Sequence, residues 1–169
     1  MQTILEELHA KGFALVPYDY ALRDLVIRAV RSWETFCTLP VEEKNRYMAL
    51  GGNDGYQRTV DAESFILSKY TQVTQFDPAE TPSFINDCFL ILEDIQSIAR
   101  GIFAEKATVS LQLIHDGTIQ VPGEAYLLPL FPTDEIAVAP GKLRVTTSAE
   151  PYGLKDTRQF ALTGIVLVK

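Results

Sequence analysis

Histidine is scarce in this chain: His9 and His115 are the only two among 169 residues. A mononuclear centre with two histidine ligands and one carboxylate would need both, held on one rigid face. Cysteine is equally sparse. Cys37 and Cys88 provide no disulfide framework, and each sits in a stretch with the spacing of an amphipathic helix, where a small buried hydrophobe is expected. Cationic charge is the minority sign, with 15 Lys and Arg against 22 Asp and Glu and a net charge of −7. Nucleic acid is therefore not an expected partner, because phosphate recognition rests on Lys and Arg. No apolar run approaches the roughly 20 residues needed to span a bilayer, and the first residues lack a basic start followed by an apolar run. A soluble, cytoplasmic protein without a membrane segment is expected.

Familiar catalytic strings are also missing. The sequence contains no G-x-S-x-G, P-loop or G-x-G-x-x-G, and Gly51-Gly52 is not followed by a phosphate-binding lysine. Acidic residues are scattered, so no carboxylate pair stands out for acid–base work. His115-Asp116-Gly117 could be taken for a metal pair, but neighbours in a strand point to opposite faces, and a turn beginning at Asp-Gly explains them better. His9 falls on the polar side of a short helix.

The elements that are present come in two kinds. Ile4, Leu5 and Leu8 mark a short helix that Gly12 ends, and Phe13 to Val16 reads as a buried strand stopped by Pro17. From Ala21 to Leu39, Leu22, Val26, Ala29, Val30, Trp33 and Phe36 repeat at helical spacing. Pro40 opens a short helical turn, Gly51 to Gly55 is loop-like, and Phe65 to Val73 is β-prone. A long helix is expected from about Pro82 to Glu105. Beyond Lys106, short runs at 109–113, 118–121, 124–131, 135–139, 143–147 and 160–168 are separated by Pro and Gly, as in a sandwich or barrel. The expected class is α+β: a helical region over 1–105 packed on β-strands over 106–169, in one structural unit.

A resemblance follows from these pieces in order. G-F-x-L-V at Gly12, F-x-x-L-P-x-E-E-K ending at Lys44, a glycine-rich segment ending Gly55-Tyr56, and Glu63-Ser64-Phe65 together resemble the N-terminal region of isopenicillin N synthase-like 2-oxoglutarate/Fe(II)-dependent dioxygenases, over roughly residues 4 to 105. The implied fold is a helical layer on a jelly roll, here shortened, because the chain passes directly from the long helix into the Val109 strand. These motif residues read as scaffold. In the C-terminal part, Lys106-Ala107-Thr108-Val109-Ser110-Leu111 resembles the family's H-x-D-x-S-L, Leu143-Arg144-Val145 its H-R-V, and Arg158-Gln159-Phe160 the R-x-S that holds the co-substrate carboxylate.

On that resemblance Lys106, Thr108 and Leu143 occupy vestigial metal positions, and none suits Fe(II): lysine repels the cation, threonine is a weak neutral ligand and leucine cannot coordinate. The expectation is a dioxygenase-like protein without its iron ligands, acting by binding, with no cofactor. A small carboxylate could be held by Arg158 and Lys106, with Phe160 in the serine's place. The alternative is an active oxygenase, using Fe(II) and 2-oxoglutarate, with atypical or inter-subunit ligands and a metal role for His115. Phe160 to Val168 carries no charge, so a homodimer or a partner protein is expected to cover or pair with the shortened barrel.

Overall fold

The computed structural model describes residues 3–48, 54–59, 62–68, 83–116, 125–131, 141–147 and 160–168. Helix α1, Ile4–Lys11, is closed at both ends by local chemistry. Thr3 and Glu6 form a reciprocal capping box, and Gly12 takes a left-handed φ of 82° at the other end. Strand β1, Phe13–Pro17, follows directly, and then α2, Tyr20–Cys37, capped by the Asp19 carboxylate on the Leu22 N–H. The periodic residues Leu22, Val26, Ala29, Val30, Trp33 and Phe36 are all buried along one face of α2, as their spacing requires. After the short α3, Val41–Lys44, come the hairpin strands β2, Gly55–Arg58, and β3, Glu63–Ser68, and the long α4, Ser83–Phe103. The remaining strands are β4, Ala107–His115, β5, Tyr126–Phe131, β6, Lys142–Thr147, and β7, Phe160–Val168.

All seven strands form one antiparallel sheet in the order β1-β6-β5-β7-β4-β3-β2. The class is α+β, as the sequence predicts, and strands from both halves of the chain share this jelly-roll-like sheet. Residues from α1, α2 and α4 and from one face of the sheet make up the main core. At its centre Trp33, Phe36, Phe65 and Phe84 pack edge-to-face or stacked, with ring centroids 5.1–6.3 Å apart. α4 crosses the sheet closely at Gly164, where an added Cβ would lie 3.3 Å from Ile95 Cδ1. The opposite face carries a smaller cluster of Ala125, Leu127 and Ile165, with Leu167 against it.

Two expectations need correction. Gly55, expected in a loop, is the first residue of β2, paired with Ile66, and 51–53 lie outside the described residues. The charge-free strand 160–168 also needs no pairing from another chain. β7 bonds to β4 on one side and β5 on the other, and Leu162, Ile165 and Val166 are buried. Of the predicted strands, 118–121 and 135–139 lie outside the described residues, as does 69–73 of the run that begins at Phe65. No helix among the described residues is long and apolar enough to cross a membrane.

Truncating the aromatic centre should be costly. Phe84→Ala is expected to lower stability by about 3–5 kcal/mol, whereas Tyr20→Ala, at a side chain 79% exposed, should stay within about 0.5 kcal/mol. Urea unfolding of the two variants beside the parent measures the difference.

Candidate functional site

Polar chemistry concentrates at one end of the helix-facing side of the sheet. β3 begins at Glu63, which lies directly opposite His115, the last residue of β4, while Tyr56 on β2 opposes Phe65 of β3. These registers bring Glu63, His115 and Tyr56 onto the face that the helices cover. From the other side α3 contributes Lys44, which is only 5% exposed. One carboxylate joins them all. Glu63 Oε1 accepts from Lys44 Nζ and from the Tyr56 hydroxyl at 2.5 Å, and Oε2 lies 2.8 Å from His115 Nδ1. Lys44 Nζ also donates to the Cys37 carbonyl, 3.2 Å away at the end of α2. Because an ionised carboxylate only accepts, the proton of a neutral His115 belongs on Nδ1.

His115 and Asp116 are closer partners than the sequence implies. His115 ends the strand, stacked on Phe160 with centroids 4.5 Å apart, but Asp116 turns away with a φ of 55°. That left-handed backbone brings Asp116 Oδ2 to 3.3 Å from His115 Nε2, where a continuing strand would have placed the two on opposite faces. The predicted turn is present, and it folds the acid back onto the imidazole.

Burial pushes the Glu63 carboxyl up, but hydrogen bonds from Lys44, Tyr56 and His115 outweigh it and hold it down to about 2. The same carboxylate raises its neighbours. Burial first, then the Glu63 hydrogen bond and charge, push the Tyr56 phenol well above its ordinary value. Burial, followed by Glu63, does the same to the Cys37 thiol. An ionised Glu63 with both oxygens engaged is not poised to abstract a proton, and a thiol pushed upward is a poor nucleophile. The cluster acts as a clamp between α2, α3 and three strands, beside an open polar cleft of about 160 Å³ that reaches Arg58 and Thr59.

Two donor sets test whether a metal fits. Ligand atoms of Cys37, Glu63 and His115 lie within 4.8 Å of one another. A cation there would meet the buried Lys44 ammonium and compete with it for Glu63, and it would need a thiolate that the surroundings disfavour. This set does not fit. The two-histidine arrangement fits no better: His9 is exposed on α1, which packs on β1, and β1 stands four places from β4 in the sheet, about 19 Å at the usual strand spacing.

The positions read from the sequence do not converge either. Leu143 on β6 is buried in the core under the helices. Thr108 on β4 pairs with Leu167, on the opposite face of the sheet and three places away in strand order. Lys106 is exposed in the turn between α4 and β4. Arg158 lies outside the described residues. The Lys44–Tyr56–Glu63–His115 cluster was not singled out as a site from the sequence, although three of its members stand inside the quoted motifs.

No known family model matches the sequence, and no curated protein does. Solved structures do match. A protein from Caulobacter crescentus assigned to the 2OG-Fe(II) oxygenase family superposes with a TM-score of 0.63 at 17% identity, covering 95% of this chain and 80% of that one. A Neurospora crassa protein solved with alpha-KG and thymine gives 0.62 at 10% identity over 98% and 78%. A Shewanella oneidensis protein assigned to the oxygenases gives 0.57 at 12% over 98% and 85%. The chain has a 2OG/Fe(II) dioxygenase-like fold.

The clamp makes two measurable demands. Glu63→Gln leaves Lys44 buried without its counter-charge and should cost about 3–5 kcal/mol, much of it recovered in a Lys44→Met, Glu63→Leu double variant. Because the folded value of Glu63 lies below its ordinary 4.5, its stabilising contribution is complete above about pH 4.5 and is lost as the pH falls towards 2. Urea unfolding between pH 2 and 7 should therefore show a flatter acid limb for Glu63→Gln than for the parent.

Proposed function

We propose that this chain is a dioxygenase-fold protein, of the isopenicillin N synthase-like kind, that has lost its iron ligands and acts by binding rather than by oxygen chemistry. The observation that carries this reading is the placement of the two histidines. His115 is held by Glu63 at one end of the helix-facing side, and His9 is exposed on α1 across the sheet. The fold family implies Fe(II) and 2-oxoglutarate, and a facial triad takes two neighbouring histidines with a carboxylate. Nothing in the donor geometry supports that set within one chain.

Binding is the function that a retained scaffold leaves. A small carboxylate held by Arg158 with help from Lys106 remains part of the proposal, since guanidinium groups pair with carboxylates in a bidentate fork. The homodimer stands on a narrower base than the sequence offered. β7 is paired on both sides, so among the described residues the outer strands are β1 and β2, of five and four residues; Pro17 removes one donor from β1, and Tyr56 of β2 bridges Met48.

Metal analysis after anaerobic loading with Fe(II) and 2-oxoglutarate tests the reading. Well under one iron per chain is expected, unchanged by His115→Ala. One tightly bound iron per chain, lost in His115→Ala, would establish the active-oxygenase alternative with ligands shared between subunits. Sedimentation at micromolar concentration is expected to show a dimer, and a monomer at all concentrations would remove that part.

A further inference from the structure

α4 buries one side in the core and turns a second stripe to solvent. Asn86, Leu90, Glu93, Ser97 and Arg100 follow one another at alternating intervals of four and three residues, so they lie along one line of the helix, and all are exposed. Leu90, at 49% exposure, is the large hydrophobic side chain that α4 leaves in water. On one flank of the stripe Phe89, Leu92 and Val109 line an open hollow of about 390 Å³, so apolar surface continues beside it.

Two features bear on what covers this stripe. The first is charge. Among the described residues neither Glu93 nor Arg100 forms an ion pair. They stand about 5 Å along the axis on either side of the point between Gln96 and Ser97. A helix with acid and base placed in this way is complementary to its own reverse: turned end for end about that point, each glutamate meets the arginine of the other copy. The second is shape. Gly101 lies inside α4, where glycine is weaker than alanine, and a Cβ there would meet nothing within 4 Å. It stands about three turns from Leu90, on the same side of the helix, and leaves a notch there. The reversal that pairs the charges also brings Leu90 of one copy to within one turn of the Gly101 notch of the other.

We propose that this face is the contact between two copies of the chain. α4 packs antiparallel on α4 of the second copy about a two-fold axis beside Ser97, with Leu90 at the Gly101 notch and Glu93 against Arg100, each pair made twice. The proposal rests on the homodimer reading above and names its surface, on the helical layer and not on the outer strands β1 and β2. One pair of helices buries less than a standard interface, so the dimer forms at micromolar concentration and dissociates on dilution.

Sedimentation of the full chain across the micromolar range tests it. The parent is expected to dimerise, and Glu93→Arg or Arg100→Glu alone should weaken the dimer by about tenfold, because each sets two like-charged pairs face to face. The double variant Glu93→Arg, Arg100→Glu restores opposite charges across the axis and should return to within about threefold of the parent, a rescue specific to this pairing. Leu90→Ser and Gly101→Leu should each weaken the dimer by about tenfold as well. The thermal midpoint of Gly101→Leu should stay level or rise, since leucine favours helix and has room there, which shows the variant to be folded. A monomeric parent overturns this proposal together with the homodimer reading. A dimer of unchanged affinity in Glu93→Arg and Leu90→Ser overturns the α4 surface and leaves the homodimer to other faces. Weakening in both single charge variants without rescue in the double variant overturns the two-fold pairing.

Discussion

The carboxylate of Glu63 ties together parts of the chain that lie far apart in sequence. Its three donors come from α3, β2 and β4, and through Lys44 the connection reaches the last carbonyl of α2, that of Cys37. A buried charge is costly unless its lone pairs are filled, and here filling them requires that α3, the β2–β3 hairpin and the end of β4 all be in register. The aromatic centre depends on the same arrangement. Phe36 lies edge-on to both Tyr56 and Tyr47, with centroids 5.7 and 5.5 Å apart, so a displaced Tyr56 would open the core at the foot of α2. Charge pairing and apolar packing thus enforce one geometry.

How much of this was legible in the sequence depended on the range of the signal. The buried stripe of α2 and the inner face of α4 repeat within a few residues, and Gly12 marks a helix end because only glycine takes a left-handed φ at little cost. β2 was hidden because Gly55–Arg58 is a strand only by virtue of its pairing with β3, and the glycines before it look like a loop. Lys44 reads as a solvated charge at a helix end, since its partner is 19 residues away and nothing local announces burial. The same limit applies to the positions matched to metal ligands. A short string places Leu143 and Thr108 in strands, but which face each presents follows from pairings with residues far along the chain. One residue of register exchanges the faces.

Fold and chemistry rest on different residues in a scaffold of this kind. A dioxygenase-like scaffold can persist through its core spacing, its helix caps and one buried ion pair, none of which needs iron. Catalysis by such a fold depends on a few side chains brought to one point, and here the two histidines serve other surroundings: one in a clamp, one in water. Scaffold residues answer to stability and ligand residues to the reaction, so the second set can be lost while the first is kept.

The position of β7 has a consequence for how the molecule comes together. It is the last in sequence of the strands among the described residues but sits in the interior of the sheet, between β5 and β4. Until it docks, β1-β6-β5 and β4-β3-β2 are two half-sheets with facing open edges and no hydrogen bonds between them. Chain order therefore runs against assembly order, and the final closure must draw together contacts of long sequence separation, which is slow relative to helix formation. During synthesis both edges wait for a strand that has not yet emerged, and the same gap could accept β7 from a second copy. Molecular crowding at that stage, rather than any weakness of the finished sheet, is where this architecture is most exposed to misassembly.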